Sequence, residues 1–326
     1  MSKVSINLVT WNGARYIESC LKSVLEQTFK DVSLIIIDNG STDNTLELIN
    51  ERYPHLKVIK HKDNLGFAKA HNQAIHWTKS DYVLCLNQDV VLEPGFVQEL
   101  VEFMDNNPMA GVASGKVYRW QDGEKTKYID TIGLKIFKNF RVIDMGSGEV
   151  DEGQYDLKKQ VFGISGALPF FRRKALEEIR YQQEYFDESF FSYKEDVDLA
   201  FRLQVAGWEA WMVPGGIAYH DRTVTIPFDK MTKLQVASNR RRKSQFANFY
   251  SYRNHIFFLI KCLPKLSLRV FLYELVKFFY VFLLETKNLK AWIQVIRNWK
   301  QLKLKRKIIW KNKKIKDEEL SDWFNS

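Results

Sequence analysis

In its N-terminal part the chain alternates short apolar segments rich in Val and Ile with segments whose apolar residues recur at helical spacing. Strands are predicted at 4–10, 32–37, 56–60 and 82–86. Helices are predicted at 14–27, 45–51, 70–77 and 95–104. Alternation of this kind is typical of a mostly parallel central sheet with helices on both faces, so the pattern predicts an α/β fold.

The rest of the chain divides into a less regular region and a basic tail. Loops and hairpins are predicted for about 120–160, a regular pattern returns at 161–171, and helices follow at 173–180 and from about 195. Composition changes near Pro227, which predicts a first domain of residues 1–225 and a helical region of residues 226–326. The chain of 326 residues has a formal net charge of +10, and Lys and Arg are concentrated in that helical region.

The tail, residues 226–326, places aromatic and aliphatic side chains next to Lys and Arg. Its apolar helix faces are predicted to include Phe257, Phe258, Leu259, Leu263, Phe271, Leu272, Leu275, Phe278, Phe279 and Phe282. One interpretation is a helical subdomain packed on the first domain. The other, which the Lys-rich segment 300–316 favours, is a set of amphipathic helices on an anionic membrane surface. Nucleic-acid binding is disfavoured because no recognition module accompanies the basic run.

Features that report on location favour a cytoplasmic protein on the inner face of the cell membrane. No apolar run reaches the roughly 20 residues that cross a bilayer, since Glu274 and Lys277 interrupt the segment 270–284. The N-terminus passes directly into a strand pattern, so no secretory signal is predicted. Cys20, Cys85 and Cys262 are far apart in the sequence, which favours a reducing compartment.

Polar residues follow three of the predicted strands, at the edge where open parallel sheets bind ligands. They are Thr10, Trp11 and Asn12 after the first strand, Asp38 after the second and Asp89 after the fourth. Trp11 is suited to stack on a base, and Asp38 to accept hydrogen bonds from a ribose or base. Each residue alone is typical of a turn, but their occurrence at three strand ends favours a nucleotide site. Neither a G-x-G-x-x-G nor a Walker lysine motif is present, which disfavours dinucleotide and P-loop sites.

Two acidic positions are candidates for chemistry. Asp89 is either a turn residue before Pro94 or a carboxylate ligand for Mg²⁺ or Mn²⁺ on a diphosphate. Glu195 and Asp196 begin a predicted helix, where they either stabilise its N-terminus or supply a general base.

Two further observations concern the neighbourhood of that helix. Asp198 and Arg202 are four residues apart and are expected to pair on one helical face. His220 is either a structural histidine or a second metal ligand beside Asp89.

The sequence resembles the inverting family 2 glycosyltransferases of the GT-A fold, most of all their rhamnosyltransferase-like branch. The resemblance rests on V-T-W-N at 9–12, I-D-N-G-S-T-D at 37–43, N-L-G-F-A at 64–68, L-N-Q-D at 86–89, I-S-G-A at 164–167, F-D-E-S-F-F at 186–191 and Y-K-E-D-V-D-L at 193–199. It covers about 3–225, in order. It implies a Rossmann-like, mostly parallel central sheet with helices on both faces, followed here by an α-helical, membrane-associating region.

The resemblance also implies a role for each matching position. Asp89 would be the metal-binding carboxylate of a D-x-D motif whose first position is Asn87 here, and His220 would match a metal-ligating histidine of some relatives. Asp196, next to Glu195, would be the catalytic base. Gly166 and Ala167 would line the donor-sugar and acceptor region. Residues expected to contact the donor nucleotide are Thr10, Trp11, Asn12, Asp38, Asn64, Gly66, Phe67, Asn72, Asn87 and Gln88.

The resulting hypothesis is an inverting, metal-dependent enzyme that moves one sugar from a dTDP- or UDP-sugar to a glycan or polyprenyl-linked acceptor in cell-surface polysaccharide synthesis. Rhamnose from dTDP-rhamnose is suggested by the branch resemblance alone. A single sugar is expected because the Q-x-x-R-W motif of processive synthases is absent after Asp196. The alternatives are a sugar nucleotidyltransferase, disfavoured because no basic pyrophosphate loop is evident near the first strand, and a non-catalytic, membrane-bound nucleotide sensor.

Overall fold

A computed structural model of the protein describes residues 1–121, 123–222 and 244–325. The strands are β1 (Val4–Thr10), β2 (Val32–Asp38), β3 (Val58–Lys60), β4 (Tyr82–Asn87), β5 (Val90–Leu92), β6 (Ala110–Gln121), β7 (Glu124–Thr131), β8 (Leu134–Ile136), β9 (Val142–Asp144), β10 (Lys159–Val161), β11 (Phe170–Arg172) and β12 (Glu209–His220). The α-helices are α1 (Ile17–Leu25), α2 (Thr45–Arg52), α3 (Phe67–His76), α4 (Phe96–Asn106), α5 (Arg173–Ile179), α6 (Glu195–Val205), α7 (Gln245–Cys262), α8 (Leu268–Leu284), α9 (Lys290–Lys311) and α10 (Asp317–Asn325). The predicted boundary between 225 and 226, like Pro227, falls outside the described residues.

The central sheet is mostly parallel, as the alternating pattern predicts. Strands β3, β2, β1 and β4 lie side by side in that order and run in one direction. Strands β6 and β12 continue in the same direction beyond β11, which lies antiparallel between β4 and β6. Strands β5, β7 and β10 add antiparallel pairings to this second half. The carboxyl ends of the parallel strands therefore share one edge, which is where such sheets bind ligands.

The bounds of some helices and strands differ from the predicted ones. Helix α1 begins at Ile17 rather than 14, since the amides of Tyr16 and Ile17 donate to the carbonyl of Gly13 in a preceding turn. Helix α3 begins at Phe67, directly after Gly66 with its φ of +85°. The regular segment predicted at 161–171 is instead two short strands, β10 and β11, with a loop between them.

Helix packing explains why the N-terminal half folds as its periodicity indicates. Ile17, Leu21 and Val24 recur at helical spacing on α1 and are buried in a core that also contains Val4 and Leu84 from the sheet. Burying a side chain of this size stabilises the folded state by about 1.5–3 kcal/mol. The apolar stripe of the helix thus fixes the face that it turns toward the sheet.

The C-terminal helices pack on the α/β domain through α7 and α9. Phe257 and Phe258 of α7 are buried in a cluster that includes Phe201 of α6 and Leu302 of α9. The sequence interpretation of a helical subdomain packed on the first domain therefore describes these two helices.

Helix α8 is different, because much of its apolar surface is exposed. Among its residues, Phe271, Leu272, Phe279 and Phe282 are all about half exposed. Only Val270 and Val281 of this helix are buried. None of the described helices is both long and apolar enough to span a bilayer.

Candidate active site

An open cleft of about 480 Å³ lies at the carboxyl edge of the parallel strands. Both acidic positions singled out in the sequence line it: Asp89 at one, and Glu195 with Asp196 at the other. Five more of the predicted residues also line the cleft: Phe67, Asn87, Gly166, Ala167 and His220. The fold therefore brings together residues from five separate segments of the chain.

Strand pairing places His220 beside Asp89. His220 ends β12 and pairs in register with Val90 of β5, the residue that follows Asp89. The imidazole Nε2 lies 3.4 Å from Asp89 Oδ1, and Nδ1–H donates to Asp130 Oδ2 at 2.9 Å. Burial acts to lower the pKa of His220, but the carboxylates of Asp89 and Asp130 outweigh it and raise that pKa to about 10.

The pair formed by Asp89 and His220 fits a divalent metal ion bound together with a diphosphate. Asp89 Oδ1 is buried, and it faces His220 Nε2 at 3.4 Å without a well-formed hydrogen bond to any of the described residues. Asp130 holds Nδ1 of His220, which leaves Nε2 as the nitrogen directed at Asp89, the arrangement in which a carboxylate orients a metal-binding histidine. The described residues contain no group of three or more His, Cys, Asp or Glu side chains suited to a metal. Mg²⁺ and related ions use one or two carboxylates and complete their shell with phosphate oxygens and water.

The sequence did not predict the ion pairs next to Asp89 and His220. Arg222 donates through Nε to Asp130 Oδ2 and through Nη1 to Asp144 Oδ2, both at 2.9 Å. Arg222 and Asp144 line the cleft itself. Burial acts to lower the pKa of Arg222, but these two carboxylates raise it overall. The site therefore holds a fixed guanidinium in addition to its carboxylates.

Asp196 and Glu195 begin α6 as predicted and stand in different environments. The backbone N–H of Gly166 donates to Asp196 Oδ2 at 3.0 Å, which fixes that carboxylate at the wall of the cleft. Glu195 is buried, and its Oε2 has no partner among the described residues. Burial raises the pKa of both carboxyl groups, and for Glu195 the nearby Asp196 adds to the effect, to about 8.

The expected pairing of Asp198 with Arg202 is present on the inner face of the same helix. Arg202 Nε donates to Asp198 Oδ2 at 2.9 Å, and both side chains are buried. Lys261 from α7 contacts Asp198 Oδ1 at 2.5 Å and also pairs with Asp187. These ion pairs attach α6 to the tail helices.

Gly166 and Ala167 lie in the loop between β10 and β11 that faces Asp196. A Cβ placed on Gly166 would stand 3.4 Å from the Cβ of Asp196, in ordinary van der Waals contact, so the loop packs directly against that residue. The carbonyl of Ala167 accepts the backbone N–H of Asn87 at 3.1 Å. This bond joins the loop to the end of β4.

The strand-end residues Thr10, Trp11, Asn12, Asp38 and Gln88 form a second group at the same sheet edge. Gln88 Oε1 accepts from Thr10 Oγ1 at 2.5 Å and from the Trp11 amide at 2.8 Å, so it fixes the turn. The Trp11 side chain is 49% exposed, which leaves its ring open to stacking. Asp38 Oδ2 accepts from the Ser41 amide, whereas its buried Oδ1 has no partner in the described part of the chain.

Asn12 and Asn64 both serve loop structure at this edge. Asn12 Oδ1 accepts the Thr42 amide at 2.8 Å, and Asn64 Oδ1 accepts the Gly66 amide at 2.8 Å. A Cβ on Gly66 would stand 2.6 Å from the carbonyl oxygen of Phe191, so only glycine permits that approach.

Asn72 is not among the described residues that line the cleft. It is buried in α3, where its amide nitrogen donates to the carbonyl of Phe186 and its oxygen accepts the amides of Tyr185 and Phe186. These bonds occupy the side chain, so the structure gives Asn72 a role in holding the segment before α6.

The backbone that leads into Glu195 and Asp196 is held by α7. Phe191, Tyr193 and Lys194 all have positive φ values, of 63°, 71° and 68°, which are unusual for side chains of this size. Asn254 Nδ2 lies within hydrogen-bond distance of the carbonyl oxygens of Phe190, Ser192 and Tyr193, at 2.9, 2.8 and 2.6 Å. Nothing in the local sequence signals this contact, because it joins segments about 60 residues apart.

Comparison with known protein families gives a match over the α/β domain. The family model described as "Glycosyl transferase family 2" matches residues 5–180 of the chain. An N-acetylglucosaminyl-diphospho-decaprenol L-rhamnosyltransferase of Mycobacterium tuberculosis is 29% identical over 69% of this chain and 78% of its own length. A poly-beta-1,6-N-acetyl-D-glucosamine synthase of Staphylococcus epidermidis is 26% identical over 66% of this chain, which spans 49% of that protein.

Solved structures with the same fold support the architecture. TarS residues 1–349 of S. aureus in complex with UDP-GlcNAc aligns with a TM-score of 0.52 at 17% identity, over 81% of this chain and 68% of that one. GalNAc-T7 with UDP, GalNAc and Mn²⁺ aligns with a TM-score of 0.57 at 13% identity, over 80% of this chain and 48% of that one. At these identities the likeness shows the fold alone.

Proposed function

The chain belongs to glycosyl transferase family 2, and we propose from that membership that it is an inverting, metal-dependent enzyme that transfers a single sugar. The proposed donor is a dTDP- or UDP-sugar and the proposed acceptor a lipid-linked glycan. One observation carries the proposal. A single cleft is lined both by a pair suited to a metal ion, Asp89 and His220, and by a carboxylate suited to act as a base, Asp196.

In the proposed reaction an acceptor hydroxyl attacks the anomeric carbon of the donor sugar. The new glycosidic C–O bond forms as the bond to the diphosphate oxygen breaks, and the bond's electron pair leaves with the diphosphate. Asp196 takes the hydroxyl proton. A single displacement of this kind inverts the anomeric configuration. The Gly166 amide, which donates to Oδ2, keeps the base in place during attack.

The departing diphosphate requires positive charge at the other side of the cleft. A Mg²⁺ or Mn²⁺ ion held by Asp89 and His220 would supply electrophilic stabilisation of the developing negative charge. Arg222, fixed by Asp130 and Asp144, adds a permanent cation that lines the same cleft. For the nucleoside we propose stacking on Trp11 and hydrogen bonding to the unpartnered Oδ1 of Asp38.

The names of the relatives support the substrate class. The mycobacterial relative is named as a transferase of rhamnose to a diphospho-decaprenol acceptor, and the staphylococcal relative as a poly-N-acetylglucosamine synthase. We propose a prenyl-diphosphate-linked glycan as the acceptor and rhamnose from dTDP-rhamnose as the first sugar to test. Family membership favours sugar transfer over the nucleotidyltransferase alternative.

The proposal is tested by comparing a substitution of the proposed base with the same substitution of a carboxylate far from the cleft. Asp196→Asn is expected to keep donor affinity while kcat falls roughly 10²–10⁴-fold, the contribution of a positioned general base. Asp81→Asn, an exposed residue at the opposite end of β4, serves as the matched control and should retain full transfer. Transfer by Asp196→Asn at the wild-type rate would remove Asp196 as the base.

Measurements of donor binding and transfer also test the proposed metal ligands, Asp89 and His220, and the alternative of a non-catalytic nucleotide sensor. Asp89→Ala is expected to abolish the dependence of donor affinity on Mn²⁺ or Mg²⁺, measured by thermal shift with dTDP- and UDP-sugars. Wild-type transfer at full rate in excess chelator would contradict the metal assignment. Donor binding by the wild type without release of nucleoside diphosphate, in the presence of lipid-linked acceptor, would favour the nucleotide sensor.

A further inference from the structure

A second pocket, of about 170 Å³, adjoins the active-site cleft on the side of the tail. Lys194, Val142 and Ser251 line both cavities, so the two lie next to each other at Lys194, the residue that precedes Glu195 and Asp196. Arg141, Lys194 and Lys277 bring three cationic side chains to its wall. They come from the β8–β9 hairpin, the N-terminus of α6 and helix α8.

The charge around this pocket is predominantly positive. Lys277 Nζ lies 3.9 Å from Glu274, and Glu274 also accepts a hydrogen bond from His255 Nε2 at 2.7 Å. Burial, with the nearby Lys277, lowers the pKa of His255 to about 3, so this histidine is neutral. The described residues that line the pocket include three cations and no carboxylate, with Glu274 beside Lys277, which suits an anion with more than one negative charge.

Helix α8 turns a charged face toward the protein and an apolar face outward, the reverse of an ordinary surface helix. Glu274 and Lys277 lie on the face turned toward α7, next to His255, whereas the outward face is apolar. Val276 and Leu283 are each 70% exposed, and Phe279 is 51% exposed. The apolar surface continues onto α9, where Trp292 contacts Phe278 edge-on and Ile296 is 73% exposed. Exposed apolar surfaces of this extent mark binding or membrane contact.

Together these features match an amphiphilic acceptor. Helix α8 carries an exposed apolar face and also lines the cationic pocket, and that pocket adjoins the cleft of Asp196. These three features offer a partner for the lipid, the phosphate and the sugar of a lipid-linked glycan. We propose that the pocket lined by Arg141, Lys194 and Lys277 binds the phosphate groups of a prenyl-phosphate-linked acceptor, with the prenyl chain along the exposed face of α8. This assignment rests on the proposed function, because it places the acceptor hydroxyl next to Asp196.

The test measures binding of farnesyl diphosphate, farnesol and inorganic diphosphate to the full chain by calorimetry. Lys277→Met keeps an apolar stem at the position, and Arg141→Gln removes the exposed charge of the hairpin. Each is expected to weaken farnesyl diphosphate binding about tenfold. Arg269→Met is the matched control, since it removes a cation from α8 outside the pocket and should have little effect.

Several outcomes would overturn the proposal. One is unchanged farnesyl diphosphate affinity in both variants, and another is an equal loss in Arg269→Met, which would indicate general surface charge. Inorganic diphosphate that binds as tightly as farnesyl diphosphate, with the same loss in Lys277→Met, would show a site for a free anion. Binding of farnesol as tight as that of farnesyl diphosphate would leave the cations without a role.

Failure of this inference is distinguishable from failure of the proposed function. Binding of dTDP- or UDP-sugars is measured in parallel and depends on the opposite side of the cleft. If donor binds and is turned over but the KM for a phosphorylated lipid acceptor is unchanged in Lys277→Met, the pocket assignment alone is wrong. If no nucleotide-sugar binds, the proposed function is wrong.

Discussion

At the scale of single residues, the neighbouring carboxyl groups of Glu195 and Asp196 have different surroundings, and we expect them to differ in protonation. Asp196 is held by a backbone amide at the wall of the cleft, whereas Glu195 is buried and its Oε2 has no hydrogen-bond partner among the described residues. Burial and the neighbouring Asp196 outweigh the nearby Lys194 and raise the pKa of the Glu195 carboxyl group, which favours its neutral form. We therefore expect Glu195 to hold a proton near neutral pH and Asp196 to be the group that exchanges one with substrate.

Glu195→Gln is expected to change the pH dependence of stability. The pKa of Glu195 is about 8 in the folded protein, against 4.5 for an ordinary glutamate. Between these values the folded state keeps a proton that the unfolded chain releases, so wild-type stability falls as pH rises from about 4.5 to 8. Glutamine never ionises and avoids that loss. The melting temperature of Glu195→Gln relative to wild type should therefore increase from pH 5 to pH 8, by on the order of 2 °C per kcal/mol.

The control for this prediction is Glu51→Gln, an exposed glutamate of α2. Its melting temperature should follow the wild-type pH profile. Parallel profiles for Glu195→Gln and wild type across this range would contradict the buried, protonated state of Glu195.

How far the site is predictable from sequence depends on how local each signal is. Asp38 and Asp89 stand at strand ends and Asp196 at a helix start, so periodicity alone places them at a sheet edge or helix terminus. Asp130 and Arg222 give no such signal. They meet across 92 positions of sequence, and their pairing depends on the antiparallel additions to the sheet that no alternating pattern predicts.

At the scale of elements, the tail helices complete the active site. Helix α7 lies under the loop that leads into α6, and its Arg253 and Asn254 side chains donate to the carbonyls of that loop. Three non-glycine residues there have positive φ, a conformation that costs of order 1–3 kcal/mol each and persists only when its surroundings hold it. The tail therefore holds the loop that leads to Asp196, the proposed base, a contact that composition alone did not suggest.

Asn254→Ala tests this positioning role. Loss of the amide removes the side-chain donor to the part-buried carbonyls of Ser192 and Tyr193, whereas the Phe190 carbonyl keeps Arg253. The loop can then relax, so we expect Glu195 and Asp196 to shift. We expect kcat to fall roughly 10–100-fold, as small misplacements of catalytic groups do, while donor affinity changes little. The split between kcat and donor Kd distinguishes positioning from general destabilisation. The control is Gln245→Ala, at an exposed residue at the start of the same helix, which should behave like wild type. Equal kcat values in Asn254→Ala and Gln245→Ala would contradict the positioning role of Asn254.

At the scale of the whole molecule, the C-terminal region packs on the α/β domain through α7 and α9 and exposes an apolar face on α8. Helices α7 and α9 pack against α6, where Lys261 and Lys305 reach the buried Asp187. Removal of one partner from such a buried cluster costs about 3–5 kcal/mol, because it leaves an uncompensated charge. Truncation of the tail would therefore destabilise the α/β domain, and membrane association has to be tested by surface substitutions.

The exposed face of α8 is the surface that we expect to bind membranes. Val276 and Leu283 lie seven residues apart on that face, and both are 70% exposed. Transfer of one such side chain into hydrocarbon contributes about 1.5–3 kcal/mol. The double substitution Val276→Ser with Leu283→Ser should therefore lower affinity for anionic vesicles at least tenfold, measured by co-sedimentation, with the melting temperature nearly unchanged.

Leu157→Ser, which removes a side chain 83% exposed on a distant loop, is the control. Added salt should weaken only the contribution of the basic residues. If the double variant binds vesicles as the wild type does, the apolar face of α8 is not the membrane-binding surface, and the electrostatic attraction of the Lys-rich segment 300–316 is sufficient by itself.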